Sequence, residues 1–501
     1  MDFQSIIIAV LFAWTLVQGL CLLAKISSSK SVGKRLPPGP VPLPVIGNLH
    51  FLGEQPHKSL ARLAQKYGPV MNLKLGMLNT VVISSSAMAQ QALQKQDLAF
   101  STHRSIPNAL LANNHSQFSV TLLPVASKWR ALRKIMNSNI FSGNRLNTNQ
   151  QLRAKKIQEL IIYCQKSSQV GEAVDIGRAI FRTTLNLLSN TIFSKDLTDP
   201  YSDSGKEFKD LVWNMMVEAG KPNLVDYFPF LEKFDPQGIR RRLTGHFTKA
   251  LDLFQDLIDE RLEERKVKGN KNDDALDSLL NVSQERPEEI DRTHIQHMLL
   301  DLFAAGTDTS SNTVEWAMTE LLNNPEAMAK AQAELADVIG KGKLLDEADV
   351  TGLSYLQCIV KETFRLHPPA PLLLPRRVEQ DVVLCGYTIP KDSKILINVW
   401  AMGRDPSIWK NPLMFNPERF SNSEIDVRGR DFELIPFGAG RRICPAMPMA
   451  LRMVPVMLGS LLNSFRWKIE GDIAPKDLNM EEKFGITLAK AHPLRAIPIP
   501  L

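Results

Sequence analysis

Phe437-Gly438-Ala439-Gly440-Arg441-Arg442-Ile443-Cys444-Pro445 is the stretch on which the reading of this chain turns. A lone cysteine acts as a metal ligand only when it is deprotonated and shielded. The glycines let the backbone turn tightly and approach a flat cofactor. Backbone N–H groups on such a loop can point at the sulfur and tune the metal, and an arginine nearby can pair with a cofactor carboxylate. After Cys444 the apolar spacing turns helical, through Met449, Met453, Met457 and Leu461. The sulfur therefore falls near a helix N-terminus, where a negative charge is favoured. The competing reading is an ordinary glycine loop ahead of a helix with a buried cysteine.

The other four cysteines, Cys21, Cys164, Cys358 and Cys385, are far apart and form no CxxC pair. That argues against a disulfide framework or a structural zinc site and for small buried residues.

Three further pieces work outward from the loop. Ala305-Gly306-Thr307-Asp308-Thr309-Ser310 follows the apolar run Met298–Ala304 and interrupts a helical pattern. Glycine and hydroxyl residues in mid-helix cost stability, so a local break is expected where a ligand approaches and protons move. Thr309 could hydrogen-bond oxygen or water, and Asp308 could pass protons inward; the alternative is a helix kink with solvated hydroxyls. Glu362 and Arg365, three apart, share a helix face. A permanently charged arginine keeps Glu362 ionised, which makes the pair structural rather than a catalytic acid, and Arg419 in Pro417–Phe420 can join it. Trp129 and Arg133, four apart, could offer two donors to a carboxylate, against the plainer reading of an amphipathic surface helix.

The chain has 501 residues, 44% hydrophobic and 23% charged, ample for a large core. Its net charge of +7 favours an anionic membrane or an acidic protein partner. Acidic and basic residues are interspersed without a basic block, so nucleic acid is not an expected partner. Ile6 to Ala24 is almost wholly apolar, with Asp2 before it and Lys25, Lys30, Lys34 and Arg35 after it. That order resembles an uncleaved membrane anchor more than a signal peptide, and it places the following chain in the cytoplasm. Leu36–Pro44 is proline-dense and reads as a stiff spacer. The expected organisation is an anchor over residues 1–28, a basic and proline-rich hinge over 29–50, and a body over 51–501.

Within the body, helical periodicity runs through about 57–67, 86–96, 127–140, 145–167, 206–219, 240–268 and 290–339. Val70–Leu75, Thr80–Ile83 and Lys394–Val399 read as strands, and Asp381–Pro390 as a hairpin turning at Gly386. The expectation is a mainly α fold with small β-sheets, preceded by one N-terminal transmembrane helix.

Taken together and in this order, F-x-x-G-x-R-x-C, E-x-x-R, A-G-x-D-T and the Trp129–Arg133 pair resemble the cytochrome P450 superfamily, over essentially the whole chain. Leu36–Pro40, Phe141–Leu146 and Phe432–Pro445 are similar to the plant endoplasmic-reticulum type. Segments 194–204, 207–226 and 481–496 resemble members that hydroxylate a monoterpene alcohol at an allylic methyl group. The resemblance implies the cytochrome P450 fold, haem b held by Cys444 as iron ligand, and contacts to haem from Trp129, Arg133, Arg376, Arg442, Phe437 and Gly438. It implies proton delivery by Thr309 and Asp308, and a structural ion-pair core of Glu362, Arg365 and Arg419. It further implies O2 as oxidant and electrons from NADPH through a separate cytochrome P450 reductase, since the chain has no glycine-rich nucleotide loop of its own. The lysine and arginine excess suits an acidic reductase. The implied location is the endoplasmic reticulum membrane, single-pass, with the catalytic domain facing the cytoplasm.

Segments that the family folds over the haem supply substrate candidates Ile106, Phe118, Leu302, Ala305, Leu372 and Ile486, largely apolar as a small terpene requires. The sequence departs from the family at Ala446, where glycine is usual; a methyl group there is expected to crowd the haem or the helix start. Two other functions remain open at this point: a reductase-independent haem enzyme that rearranges peroxides, and a non-enzymatic haem sensor or electron carrier.

Overall fold

The computed structural model describes residues 35–198, 203–268 and 274–501. The expected anchor over 1–28 and the first part of the hinge lie outside the described residues. No helix among the described residues is long and apolar enough to cross a membrane.

The first half of the body begins with helix α1 (Pro56–Tyr67), which starts on a proline at its first turn and stops at Gly68. Strands β1 (Val70–Leu75) and β2 (Leu78–Ile83) then form a hairpin. Gly76 turns it at φ +56°, and a Cβ there would sit 2.6 Å from the Tyr227 carbonyl oxygen. Strand β3 (His103–Arg104) follows. Next come α2 (Ser127–Asn139), α3 (Gln150–Val170), the short strand β4 (Val174–Asp175), α4 (Ile176–Phe193), α5 (Asp203–Gly220) and α6 (Ile239–Lys268).

The second half holds α7 (Ala275–Glu285), α8 (Arg292–Asn323), α9 (Pro325–Val338) and α10 (Ser354–Leu366). Strands β5 (Arg376–Arg377), β6 (Val382–Leu384), β7 (Tyr387–Ile389) and β8 (Lys394–Ile397) precede the cysteine loop and helix α11 (Met447–Ser464). Strands β9 (Phe465–Ile469), β10 (Glu482–Phe484), β11 (Leu488–Lys490) and β12 (Arg495–Pro500) close the chain.

The fold is mainly helical with small sheets, as the patterning implies. Helix α8 runs through the main apolar core, packed along α4 and against α6, α10 and α11. A five-stranded sheet of order β1-β2-β8-β5-β3 buries its residues in two smaller apolar clusters. β12 pairs with β9 from Ala496 to Pro500 but with β4 only at Arg495 and Ala496. Pro498 and Pro500 therefore fall beyond the end of β4, where no ladder bond is lost on that side.

Several expected elements differ in extent. The pattern over 290–339 is two helices, because Asn324 leaves helical geometry and Pro325 starts α9. The pattern over 145–167 divides at Asn149 into a short helix, Gly143–Thr148, and α3. Helix α4 lies in a stretch with no expected helix: 15 of its 18 residues are buried, so it shows no polar face to mark the period. Several of its internal polar groups are satisfied locally, as where Asn186 bonds both the N–H and the carbonyl of Thr198.

The expected break in α8 does not occur, and the helix is continuous through Gly306–Ser310. The hydroxyls of Thr307, Thr309, Ser311 and Thr313 each donate to the carbonyl four residues earlier, which satisfies them without unwinding the helix. Gly306 serves helix packing: a Cβ there would lie 3.0 Å from Leu188 Cδ1 on α4.

Candidate active site

Cys444 sits at the end of a loop built by two left-handed glycines, Gly438 at φ +71° and Gly440 at φ +68°. At Gly440 a Cβ would lie 2.3 Å from the Leu93 carbonyl oxygen, so no side chain fits. The loop closes where Cys444 N–H donates to the Phe437 carbonyl at 3.0 Å. Phe437 packs edge-on against Phe364 of α10 with ring centroids 5.2 Å apart, fixing the loop to the core. α11 begins immediately after, at Met447. Burial pushes the Cys444 thiol up; backbone N–H groups of Ala446 and Met447 bonded to the sulfur, and the charge of Arg133, oppose this. The donors a thiolate needs are thus already aimed at it. Ala446 adopts φ −84°, which any residue can adopt, and its methyl packs against the main apolar cluster. The exchange of glycine for alanine therefore introduces no backbone strain.

Beside the loop lies an arginine cluster that the five-stranded sheet assembles. β3 pairs with β5 in a register that sets Arg104 directly opposite Arg376. Like charges directly across a ladder are destabilising, so this register has a cost unless an anion joins it. Burial, together with repulsion from Arg376, Arg442 and Arg133, holds the Arg104 guanidinium well below its usual range. Arg376 and Arg442 are similarly lowered, to about 10, first by burial, with Asp97 as the opposing carboxylate. The Nε atoms of Arg104 and Arg376 are buried without a hydrogen-bond partner. A buried, orphaned pair of guanidinium donors in a pocket with a single nearby carboxylate fits a dianionic ligand. The two propionates of a haem meet that requirement.

Other expected haem contacts have protein partners. The Trp129 indole donates to the Val120 carbonyl at 2.9 Å, and Arg133 Nη2 to the Ile443 carbonyl at 2.5 Å, beside Cys444. Arg442 donates to the carbonyls of Ser101, Thr102, Thr121 and Leu123 while lying over the Trp129 ring. These three side chains clamp the cysteine loop to the 101–123 segment.

On α8, Thr309 Oγ1 donates to the Ala305 carbonyl at 2.8 Å. Asp308 is buried; burial pushes its carboxyl up, against donors from Thr487 and Asn312. The adjacent Ala305 is exposed on this face of the helix. Glu362 and Arg365 form a two-point ion pair at 2.7 and 2.8 Å, with both side chains fully buried. Arg419 Nε and the Asn416 N–H also reach Glu362, at 3.0 and 2.7 Å. Arg365 further donates to the carbonyls of Gly403, Pro412 and Met414. A carboxylate so enclosed holds neighbouring backbone in place and has no route to a substrate.

Among the expected substrate residues, Phe118 stacks on His297 at 4.9 Å and Ile106 follows the arginine-bearing strand β3. Ile486 is at the turn between β10 and β11, close to Gly220 at the end of α5. Leu302 is packed in the main core, and Leu372 in a smaller cluster with Leu60, Met71 and Leu396. Arg104, Asn312 and Thr487 carry no motif, and only the fold brings them to the site.

A cysteine shielded in a glycine loop, cationic donors for two carboxylates, and a helix bearing Asp308 and Thr309 are the residue types that a haem–thiolate site requires. The sequence profile described as Cytochrome P450 matches residues 37–493, and the chain belongs to that family. It is 68% identical to a geraniol 8-hydroxylase of Swertia mussotii over 500 residues, covering 100% of this chain and 99% of the relative. It is 66% identical to a geraniol 8-hydroxylase of Catharanthus roseus, with 100% of both chains covered. A geranylhydroquinone 3''-hydroxylase of Arnebia euchroma is 54% identical, covering 100% of this chain and 99% of the relative. A zebrafish cytochrome P450 solved with progesterone shares the fold, with TM-score 0.75 and 22% identity over 89% of this chain and 99% of that one. The chain is accordingly a P450 monooxygenase with haem b on a cysteine thiolate, supplied with NADPH electrons through a reductase.

Proposed function

We propose that this enzyme hydroxylates geraniol, and with it nerol, at the terminal allylic C8 methyl group, as a step of monoterpenoid and iridoid biosynthesis. The observation that carries this is identity of 68% and 66% along the full chain to two geraniol 8-hydroxylases. Cys444 is the iron ligand in this reading; Arg376 and Arg104 offer the haem their unpartnered Nε–H groups, and Arg442, Arg133, Trp129, Phe437 and Gly438 form the wall around it. Haem b, when bound, supplies activation of dioxygen.

The chain's own residues do the rest. Asp308 holds a proton at its carboxyl and passes it inward. Thr309 orients water or oxygen with its hydroxyl. Ile106, Phe118, Ala305 and Ile486, backed by Leu302 and Leu372, exclude water and keep the terpene chain extended. The body is held to the endoplasmic reticulum by an anchor over residues 1–28 and a hinge over 29–50, facing the cytoplasm. The uncharged, almost wholly apolar run and the lysines that follow it support this placement.

Microsomes containing the enzyme and a reductase are expected to convert geraniol to its 8-hydroxy product only when NADPH is present. Turnover of a hydroperoxide without reductase would instead support a peroxide-rearranging enzyme. Thr309→Ala is expected to divert reducing equivalents to peroxide, raising peroxide per NADPH by roughly tenfold or more, within the range of a lost proton-transfer contact. Unchanged coupling would reduce Thr309 to a helix residue whose hydroxyl serves only Ala305.

A further inference from the structure

Asp308 has a partner far away in sequence. Thr487 Oγ1, in the turn between β10 and β11, donates to Asp308 Oδ2. Asn312, one turn further along α8, donates to the same oxygen at 3.2 Å and stands 3.4 Å from Thr487 Oγ1. All three residues are buried.

The hairpin that carries Thr487 is fastened at its base. Glu482 is buried among Lys58 at 2.7 Å, His57 at 3.1 Å and the Trp400 indole at 3.1 Å. Leu488 donates its N–H to the Pro369 carbonyl at 2.8 Å and accepts from the Trp316 indole of α8 at 3.3 Å. The hydroxyl of Thr487 is therefore delivered to Asp308 from a platform fixed to α1, to the 399–402 helix and to α8 itself.

The chemistry of that partner matters. A lysine or arginine at the same place would pin Asp308 as a carboxylate. A hydroxyl donates to the ionised form and accepts from the protonated one, so it can stay bonded while the carboxyl changes charge. An apolar side chain would leave the buried carboxyl with the Asn312 amide alone, a costly state for either form. The neighbouring turn residues, Gly485 and Ile486, lie against Gly220 of α5, which joins the substrate-facing turn to the acid through one side chain.

We propose that Thr487 is a positioning residue for Asp308, holding its carboxyl in both protonation states and tying it to the β10–β11 turn. This rests on the reading of Asp308 as the proton carrier. The test uses the full-length enzyme with its reductase and compares Thr487→Val, Thr487→Ser, Asp308→Asn and the Thr487→Val/Asp308→Asn double variant.

Thr487→Val is expected to raise the ratio of peroxide to hydroxylated product roughly tenfold, the factor one hydrogen bond to a charged group supports. It should also change the solvent deuterium isotope effect on product formation. Thr487→Ser should restore both, and the double variant should be no worse than Asp308→Asn alone, since residues acting as a unit are not additive. Hydrogen exchange, read without turnover, should show residues 482–490 less protected in Thr487→Val and in Asp308→Asn. If Asp308→Asn uncouples the enzyme while Thr487→Val does not, this proposal falls and the role of Asp308 stands. If Asp308→Asn leaves coupling intact, the proton-carrier reading falls and the proposal with it. Failure of serine to restore coupling, or additive effects in the double variant, would also overturn it.

Discussion

Cys444→Ser is expected to abolish the thiolate-type absorption band of the reduced, carbon monoxide-bound enzyme and to bring hydroxylation to background, while the polypeptide still folds. Serine preserves the size of the side chain and the backbone bond from residue 444 to Phe437. What it loses is an ionisable sulfur. The Ala446 and Met447 N–H groups and the Arg133 charge stabilise a negative sulfur, and a hydroxyl in the same place stays protonated. The clamp formed by Arg133 and Arg442 bonds to backbone carbonyls rather than to the sulfur, so it survives the change. Reduced-carbon-monoxide difference spectra and circular dichroism on one preparation check both halves of the expectation. Survival of the thiolate band would remove Cys444 as the ligand.

The second large effect is expected at a residue that touches no substrate. Glu362→Gln should destabilise the body by about 3–5 kcal/mol, the usual consequence of removing one partner from a buried ion pair. The reason is geometric. Glu362 accepts from Arg365, Arg419 and the Asn416 N–H, and a neutral amide leaves two guanidinium groups buried without a counter-charge. Total stabilities lie near 5–15 kcal/mol, so the variant should accumulate poorly and unfold at markedly lower denaturant concentration. Equilibrium unfolding of the body measures this, and a midpoint equal to that of the parent enzyme would show that the pair is not structural. The two variants separate cleanly: one removes chemistry from a standing fold, the other removes the fold.

Much of the site can be read from local sequence because its parts are local. Gly438, Gly440 and Cys444 lie within one loop, Glu362 and Arg365 within one helical turn, and Asp308 and Thr309 side by side. Residue type and short spacing suffice for such groups, since a turn or a helix sets their mutual geometry. The same logic misleads where burial hides the period. Helix α4 shows no polar face, and Gly306, read from sequence as a place of ligand approach, meets Leu188 of α4. Trp129 shows a related limit: its spacing from Arg133 offers two donors, yet the neighbouring loop takes up the indole N–H at the Val120 carbonyl.

By itself the sequence determined the mainly helical class, the cysteine loop, the ion-pair helix and the helix that bears Asp308 and Thr309, because each depends on backbone periodicity or on contacts a few residues apart. Tertiary structure alone decided that Arg104 faces Arg376 and that Thr487 reaches Asp308. The first depends on strand register in a sheet whose strands are scattered along the chain. The second depends on where a hairpin is fastened against a helix 179 positions away. Neither quantity leaves a periodic trace in the sequence, because pairing register and packing are set by the sum of many distant contacts rather than by any local pattern.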